Sequence, residues 1–385
     1  MVEVYSLIMW SVSVKRSFCT LVCLYVLFPA MSVSAADQNS ARVTVANNAS
    51  VVYDGAVLTE DVTWRGTVLI KGFVVVAPQA TLRVEAGTVV RFVGPDYKNG
   101  TARLVVQGRI HASGTAASPI LMTSGRSKSA RGDWGGIFLV STEKRNILEH
   151  CRIEYADSGI DARFSTINLK MVSIKKSHTA IVAHDAVVQM IGGSITESQT
   201  GIEAYDSEFE IRDATIADCQ RGLVMNRSSL GISAVKILDN KLSGLLADDC
   251  RVKISSGEFS ENGIGASFKG GEGEIRMTSF MRNLVTALHL QGARMKIHRS
   301  RFSDNNRDAI RTEDGQALIT GNTFSANKGF NIYNAGREDA HAVLNWWGSA
   351  DRSVIADKIH DSVRDPSFGS VQIFPWLTEN PPFMP

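Results

Sequence analysis

The stretch ITESQTGIEAYDSEFEIRDATI occupies residues 195–216. It opens on Ile195 and closes on Ile216, with Ile202 between them and Phe209 and Ile211 further on. These apolar beats are about seven residues apart, too close for a helix to intervene. Phe209 and Ile211 are two apart, which is the period of a strand that shows both side chains to one face. Short strands joined by bends fit this spacing.

The same beat continues in both directions. Ile153, Ile174, Ile195, Ile216, Ile237, Phe259, Phe280, Phe302 and Phe324 follow at steps of 21 or 22. A second column runs through Ile160, Ile181, Ile202, Leu223, Leu245, Ala266, Leu288, Ile310 and Ile332. A third runs from Leu169 through Met190, Ile211, Ile232, Ile254, Ile275 and Ile297 to Ile319, with a partner column two residues earlier. A repeat of this period is one supersecondary unit that buries its apolar face only against its neighbours. Three strands per unit then stack as parallel sheets at about 4.7–4.9 Å. The crossover sense expected of parallel strands is right-handed. The spacing therefore predicts an all-β chain coiled as a right-handed parallel β-helix. Leucine-rich repeats share the period, but their Leu-x-x-Leu-x-Leu frame is absent.

A polar column supports this reading. Asn240, Asn262, Asn283, Asn305 and Asn327 repeat just after the first beat, and Ser177, Ser198 and Cys219 hold the same slot earlier. Asn tolerates left-handed bends and can bond the Asn above and below. Residues 62–146 carry similar beats, such as Val68 with Ile70 and Leu104 with Val106. Polar loops at 94–101 and 123–132 are expected to project.

Residues 1–35 read as a secretory signal. Lys15 and Arg16 precede an apolar run from Phe18 to Met31, followed by Val33-Ser34-Ala35-Ala36. The run is short of the roughly 20 residues a membrane span needs. The expected organisation is a signal at 1–35, an N-terminal cap at 36–61, the β-helix at 62–340 and a C-terminal cap at 341–385. In that last cap Trp346, Trp347 and Trp376 are expected to plug the final rung. Ser353–Ser362 are expected to form a short helix with Val354, Ile355 and Ile359 inward.

The chain has 385 residues, with 41 Lys and Arg against 39 Asp and Glu. A net charge of +2 gives no support for a nucleic-acid partner. Five cysteines, two of them in the signal, are not a disulfide framework for an exported chain of this length. The fold must be held by burial and backbone hydrogen bonds. The eight histidines are scattered, and no zinc spacing, phosphate loop or serine elbow appears.

The run Gly132-Asp133-Trp134-Gly135-Gly136-Ile137 and the segment from Ile147 to Ala156 resemble exported right-handed β-helix proteins of the pectate-lyase-like superfamily. So do Gly321-Asn322-Thr323-Phe324, Asp365-Pro366 and Pro375-Trp376-Leu377. The ending Asn345-Trp346-Trp347-Gly348 is similar to bacterial β-helix repeat proteins that include periplasmic accessory proteins of nitrous oxide reductase. The resemblance implies the fold and an extracytoplasmic location. It implies no single activity, because the superfamily holds lyases, hydrolases, esterases, epimerases, adhesins and non-enzymatic proteins. The paired aspartates and Gly-His-Gly set of the hydrolases are not found here, and no catalytic residue is assigned.

Two outward columns are candidates for binding. Arg163, His184, Tyr205, Asn226 and Asp248 fall on the second strand of successive rungs, where a ring beside amides and carboxylates suits a sugar. Glu197, Asp218, Asp239 and Glu261 share a column two residues after the first beat. Stacked carboxylates of this kind suggest Ca²⁺, the one cofactor the sequence points to. The expected function is an exported protein that presents a repeated flat surface to polysaccharide or a cell-envelope component. The alternatives are a polysaccharide lyase, epimerase or glycoside hydrolase, and a structural or adhesive surface protein.

Overall fold

A computed structural model describes residues 44–46, 50–93, 102–141 and 144–381. The expected signal at 1–35 and the loop at 94–101 lie outside the described residues. All the described residues belong to one unit, Ala41–Pro385.

The chain folds as a parallel β-solenoid. Each apolar column of the sequence is a register line. Ile153 pairs with Ile174, and the line continues through Ile195, Ile216 and Ile237 to Phe324. The second column pairs Ile160 through to Ile332, and the third pairs Leu169 through to Ile319. Each line belongs to its own run of stacked strands, here called sheets 1, 2 and 3. One rung supplies Thr200–Tyr205 to sheet 2, Glu208–Arg212 to sheet 3 and Thr215–Ala217 to sheet 1.

The corners explain how strands so short can turn. Most corners of the repeat carry a residue at positive φ, and those at Gly192–Gly193, Gly270–Gly271 and Asp314–Gly315 carry two. In successive rungs the sheet 1 to sheet 2 corner has Lys176, Glu197, Asp218, Asp239, Glu261 and Arg282, with φ between 51° and 59°. The sheet 2 to sheet 3 corner has Asp185, Asp206, Arg227 and Asp249, and the sheet 3 to sheet 1 corner has Asp213, Ala234, Ser256 and Met277. Asp at many of these corners fits, because short polar side chains tolerate this conformation better than most. Gly192 serves the same purpose, at φ 65°.

The residue after a corner points inward, and where it is Asn, Ser or Thr its side chain ties the rungs together. Asn262 is fully buried. Its amide donates to the Ile237 carbonyl at 2.9 Å, and its oxygen accepts from the Asn240 backbone N–H at 3.1 Å. Asn283 and Asn305 repeat the pattern. Two further ladders escape the sequence reading. One runs Ala186 N–H to Ser207 and Ser207 N–H to Ser228, and the other Thr278 N–H to Ser300 and on to Asn322 and Asn345. Cys151, Cys219 and Cys250 are buried and form no disulfide, and Cys219 and Cys250 stand in the ladders. Burial pushes the Cys151 thiol up to about 12 and the Cys219 thiol up to about 11. They are inert packing groups.

Sheet 1 ends on an aromatic pile. Phe259, Phe280, Phe302, Phe324 and Trp347 stack in sequence, with ring centroids 4.8–5.2 Å apart. Trp347 closes the column, while Trp346 and Trp376 are only half-buried.

Several expectations need correction. Parallel pairing starts at Ser50–Leu58, inside the stretch assigned to the N-terminal cap, and Thr44–Ala46 adds an antiparallel strand there. It also continues past residue 340, where Ile359–His360 pairs with Ile332–Tyr333. The short helix is Arg352–Asp357; it buries Ile355, but Val354 is 49% exposed and Ile359 lies in a strand. The loop expected at 123–132 is shorter: Thr123 and Ser124 are buried at the end of strand Ile120–Ser124, residues 126–131 are exposed, and Arg131 ties them back by donating to the Glu197 carbonyl at 2.6 Å. Among the described residues no helix is long and apolar enough to cross a membrane.

Candidate functional site

Sheet 2 has six-residue strands whose alternate residues face out. Arg163, His184, Tyr205, Asn226 and Asp248 lie in one register line, each opposite the next. The His184 and Tyr205 rings stack with centroids 4.9 Å apart and planes within 6°. Tyr205 donates its hydroxyl to Glu203 at 2.7 Å, and that bond raises the phenol's pKa. Arg163 forks onto Asp161 at 2.8 and 2.9 Å. Asp161 is itself buried at 3% exposure, so the fork holds the guanidinium in place. Lys269 reaches Asp248 at 3.3 Å from the next rung. The arrangement is a ring platform with hydrogen-bonding and charged groups on either side.

The acidic column lies where the sequence places it, on the corner between sheets 1 and 2. It is bounded by cations. Lys176 is 3.6 Å from Glu197, and Arg282 is 2.8 Å from Glu261. Burial raises the pKa of Asp239, and Glu261 and Asp218 add to the rise. Among the described residues, no three His, Cys, Asp or Glu side chains are grouped to hold a metal ion.

Sequence reasoning missed the other outward line of sheet 2. Ser267, His289, Arg311, Tyr333 and His360 follow one another in register. The Arg311 guanidinium lies 4.5 Å from the Tyr333 ring centroid, and Tyr333 stacks on His360 at 4.2 Å. Arg311 donates to Glu313 at 2.8 Å. That bond, with His289 close by, holds the Glu313 carboxyl below the usual range. His289 Nδ1 is 3.4 Å from the Ser267 hydroxyl, and its buried Nε2 lies 3.3 Å from the Glu313 carboxylate. A cavity of about 230 Å³ beside it is lined by His289, Arg307, Asp308 and Arg311, among others. An imidazole set between a carboxylate and a guanidinium can move a proton beside a bound group. Continuing the 21–22-residue step along this position would have found the line as far as Tyr333; His360 lies 27 residues further on. Its residue type changes at every rung, so composition gave no cue.

Two family models match the chain. A pectate-lyase-like β-helix domain covers residues 55–162, and a right-handed β-helix region covers 158–279 and 221–345. The chain belongs to the pectate-lyase-like right-handed β-helix proteins, and its solenoid is of that right-handed kind. No curated protein matches it. Among solved structures it is similar to a mutant of the periplasmic alginate epimerase AlgG, at 10% identity and a TM-score of 0.46, over 86% of this chain and 85% of that one. It is also similar to the A-module of the Azotobacter vinelandii mannuronan C-5 epimerase AlgE4, at 14% identity and 0.41, over 82% and 91%. An alginate lyase from Paenibacillus sp. matches at 11% identity and 0.27, over 77% and 93%. These likenesses concern the fold alone.

Proposed function

We propose that the protein is exported and binds polysaccharide along the outward face of sheet 2. The observation that carries this reading is the stacked His184–Tyr205 pair, set between the held guanidinium of Arg163 and the polar groups of Asn226 and Asp248. Flat rings pack on sugar faces, and fixed polar groups alongside orient the hydroxyls. Affinity electrophoresis against a polysaccharide panel tests it. The wild type is expected to be retarded by at least one polymer, and Tyr205→Ala to lose that retardation. Silence across the panel, or an unaltered Tyr205→Ala, removes the reading. Export predicts that protein recovered from the cell envelope begins near Ala36; an intact Met1 contradicts it.

One observation favours a catalytic reading as the second choice. His289 lies 3.3 Å from Glu313 and one rung from Arg311, the group types that proton transfer next to a carboxylate requires. Incubation with uronate polymers, read for unsaturated ends and for altered sugar stereochemistry, decides it. Activity lost in His289→Ala supports this reading, and inactive wild type ends it. Ca²⁺ enters as a ligand of the corner carboxylates Glu197, Asp218, Asp239 and Glu261. Calorimetry reads it directly, and wild type that gives no heat with Ca²⁺ excludes it.

A further inference from the structure

The corner between sheets 1 and 2 turns apolar for three rungs. Leu242, Leu284 and Val285 are 50%, 55% and 42% exposed, and half-buried Ile264 lies between them. The equivalent places on other rungs are polar, with Gln199 and Gln220 before the patch and Asn306 and Lys328 after it. Single apolar residues on a surface need no explanation, but a group of them among polar neighbours marks a contact.

The patch also has a shape. On the rungs of Asn240 and Asn283 two residues separate the inward Asn from the start of sheet 2, whereas on the rung of Asn262 only Gly263 does. Leu242 and Val285 therefore stand on either side of a notch, two strand spacings or about 9.4–9.8 Å apart. Gly263 has no room for a side chain, because a Cβ would run into the carbonyl oxygens of Lys241 and Leu242.

Charge along the corner changes sign at the same point. Glu197, Asp218, Asp239 and Glu261 lead up to the notch, and Arg282, Arg307 and Lys328 follow it. Lys241 before the notch and Asp304 after it break the pattern. Lys176 and Arg282 pair with Glu197 and Glu261, while Asp218 and Asp239 have no ion pair among the described residues. Arg307 is exposed and has no partner among them either. Lys328 meets only the neutral Asn306 amide, at 2.7 Å.

A two-fold axis through Gly263, perpendicular to the solenoid, sets the rungs of two copies against each other in reverse order. Leu242 of one copy then meets Val285 of the other, and Asp239 meets Arg282. Asp218 faces the rung that carries Arg307, and Glu197 the rung that carries Lys328. Each contact occurs twice, as in any isologous interface. Asp304 opposite Asp218 is the one like charge this arrangement brings together on the corner itself.

We propose that this corner docks a second copy of the chain, antiparallel, with Leu242 and Val285 packed across Gly263 and the acidic half of each ridge against the basic half of the other. Opposite charge fixes the register and the apolar knobs supply the contact. The seven rungs involved span about 28–29 Å, and the strip is only one or two side chains wide. That falls short of the roughly 800 Å² per partner of a stable complex, so the dissociation constant is expected to be on the order of 10–100 μM.

Sedimentation velocity of the full chain tests this, from about one-tenth to about ten times that concentration. Chelator is present so that Ca²⁺ does not occupy the carboxylates. Wild type is expected to pass from monomer to dimer. Asp218→Lys/Asp239→Lys and Arg282→Glu/Arg307→Glu should each weaken association by about tenfold or more, and an equimolar mixture of the two should dimerise again. The corner column already holds Lys, Arg, Asp and Glu at positive φ, so circular dichroism melts are expected to stay unchanged. Leu242→Ser/Val285→Ser, which alters only exposed side chains, should also remain monomeric. Wild type that stays monomeric throughout overturns the proposal. So does a charge-swapped mixture that fails to dimerise, or a serine variant that dimerises like wild type.

Discussion

At the level of single residues the solenoid depends on side chains that substitute for backbone partners. Asn262 satisfies the Asn240 N–H and the Ile237 carbonyl inside a dry corner. Asn262→Ala leaves both unmet, and unsatisfied buried groups cost about 1–3 kcal/mol each. Urea unfolding is expected to show a loss in that range or above it. A change within error would mean that water or a neighbour takes over the bonds. The outward corner residues behave in the opposite way. Asp239 holds its proton to higher pH in the folded chain than when unfolded, because burial and its acidic neighbours disfavour the charge. The stability this gives is present below the unfolded value and is lost as pH rises through the folded one. Asp239→Asn is therefore expected to raise the melting temperature at pH 7, by an interaction worth roughly 0.2–1 kcal/mol. The gain should shrink as the pH falls towards 3. A variant that melts lower at pH 7 would mean the carboxylate is held by a favourable contact.

At the level of the strand and the sheet, the unit that matters is the column. The Phe259–Phe280–Phe302–Phe324–Trp347 pile joins five positions by direct ring stacking. Phe280→Ala opens a cavity between two rings, at a cost of about 3–5 kcal/mol. Phe280→Ala/Phe302→Ala should cost less than the sum of the single changes, because the two share one contact. Strict additivity in calorimetry would argue against the stack. The columns were legible because inward positions accept only apolar residues of similar size, which leaves a clear period. The Asn ladder was legible because one residue type repeats. The Ser207–Ser228 and Thr278–Ser300–Asn322 ladders were not, since Ser, Thr, Cys, Ala and Gly all serve at those positions. The expected caps failed at their boundaries for a related reason. Ile359 still pairs with Ile332, although a short helix separates it from the periodic stretch. Of the candidate site, the Arg163–Asp248 line was readable and the His289–His360 line was not, because outward residues are free to differ from rung to rung.

At the level of the whole molecule, the family match settles the fold and leaves the chemistry to the surfaces. Stacked parallel strands place any outward residue directly over its counterpart one rung away, so a short sequence change becomes a row with a fixed pitch. Sheets 2 and 3 use this differently. Sheet 2 presents stacked rings and a histidine set against a carboxylate; sheet 3 presents rows of charge whose sign alternates from rung to rung. No disulfide joins Cys151, Cys219 or Cys250. Reductant is accordingly expected to leave the melting temperature unchanged, and a drop would reveal a cross-link between chains. The central claim, that sugar chains lie across the outward rings of sheet 2, is tested most directly by hydroxyl-radical footprinting with and without polysaccharide. The account predicts protection at His184 and Tyr205, with buried Phe280 unchanged as the internal control. Full oxidation of His184 and Tyr205 in the presence of every polymer would contradict it.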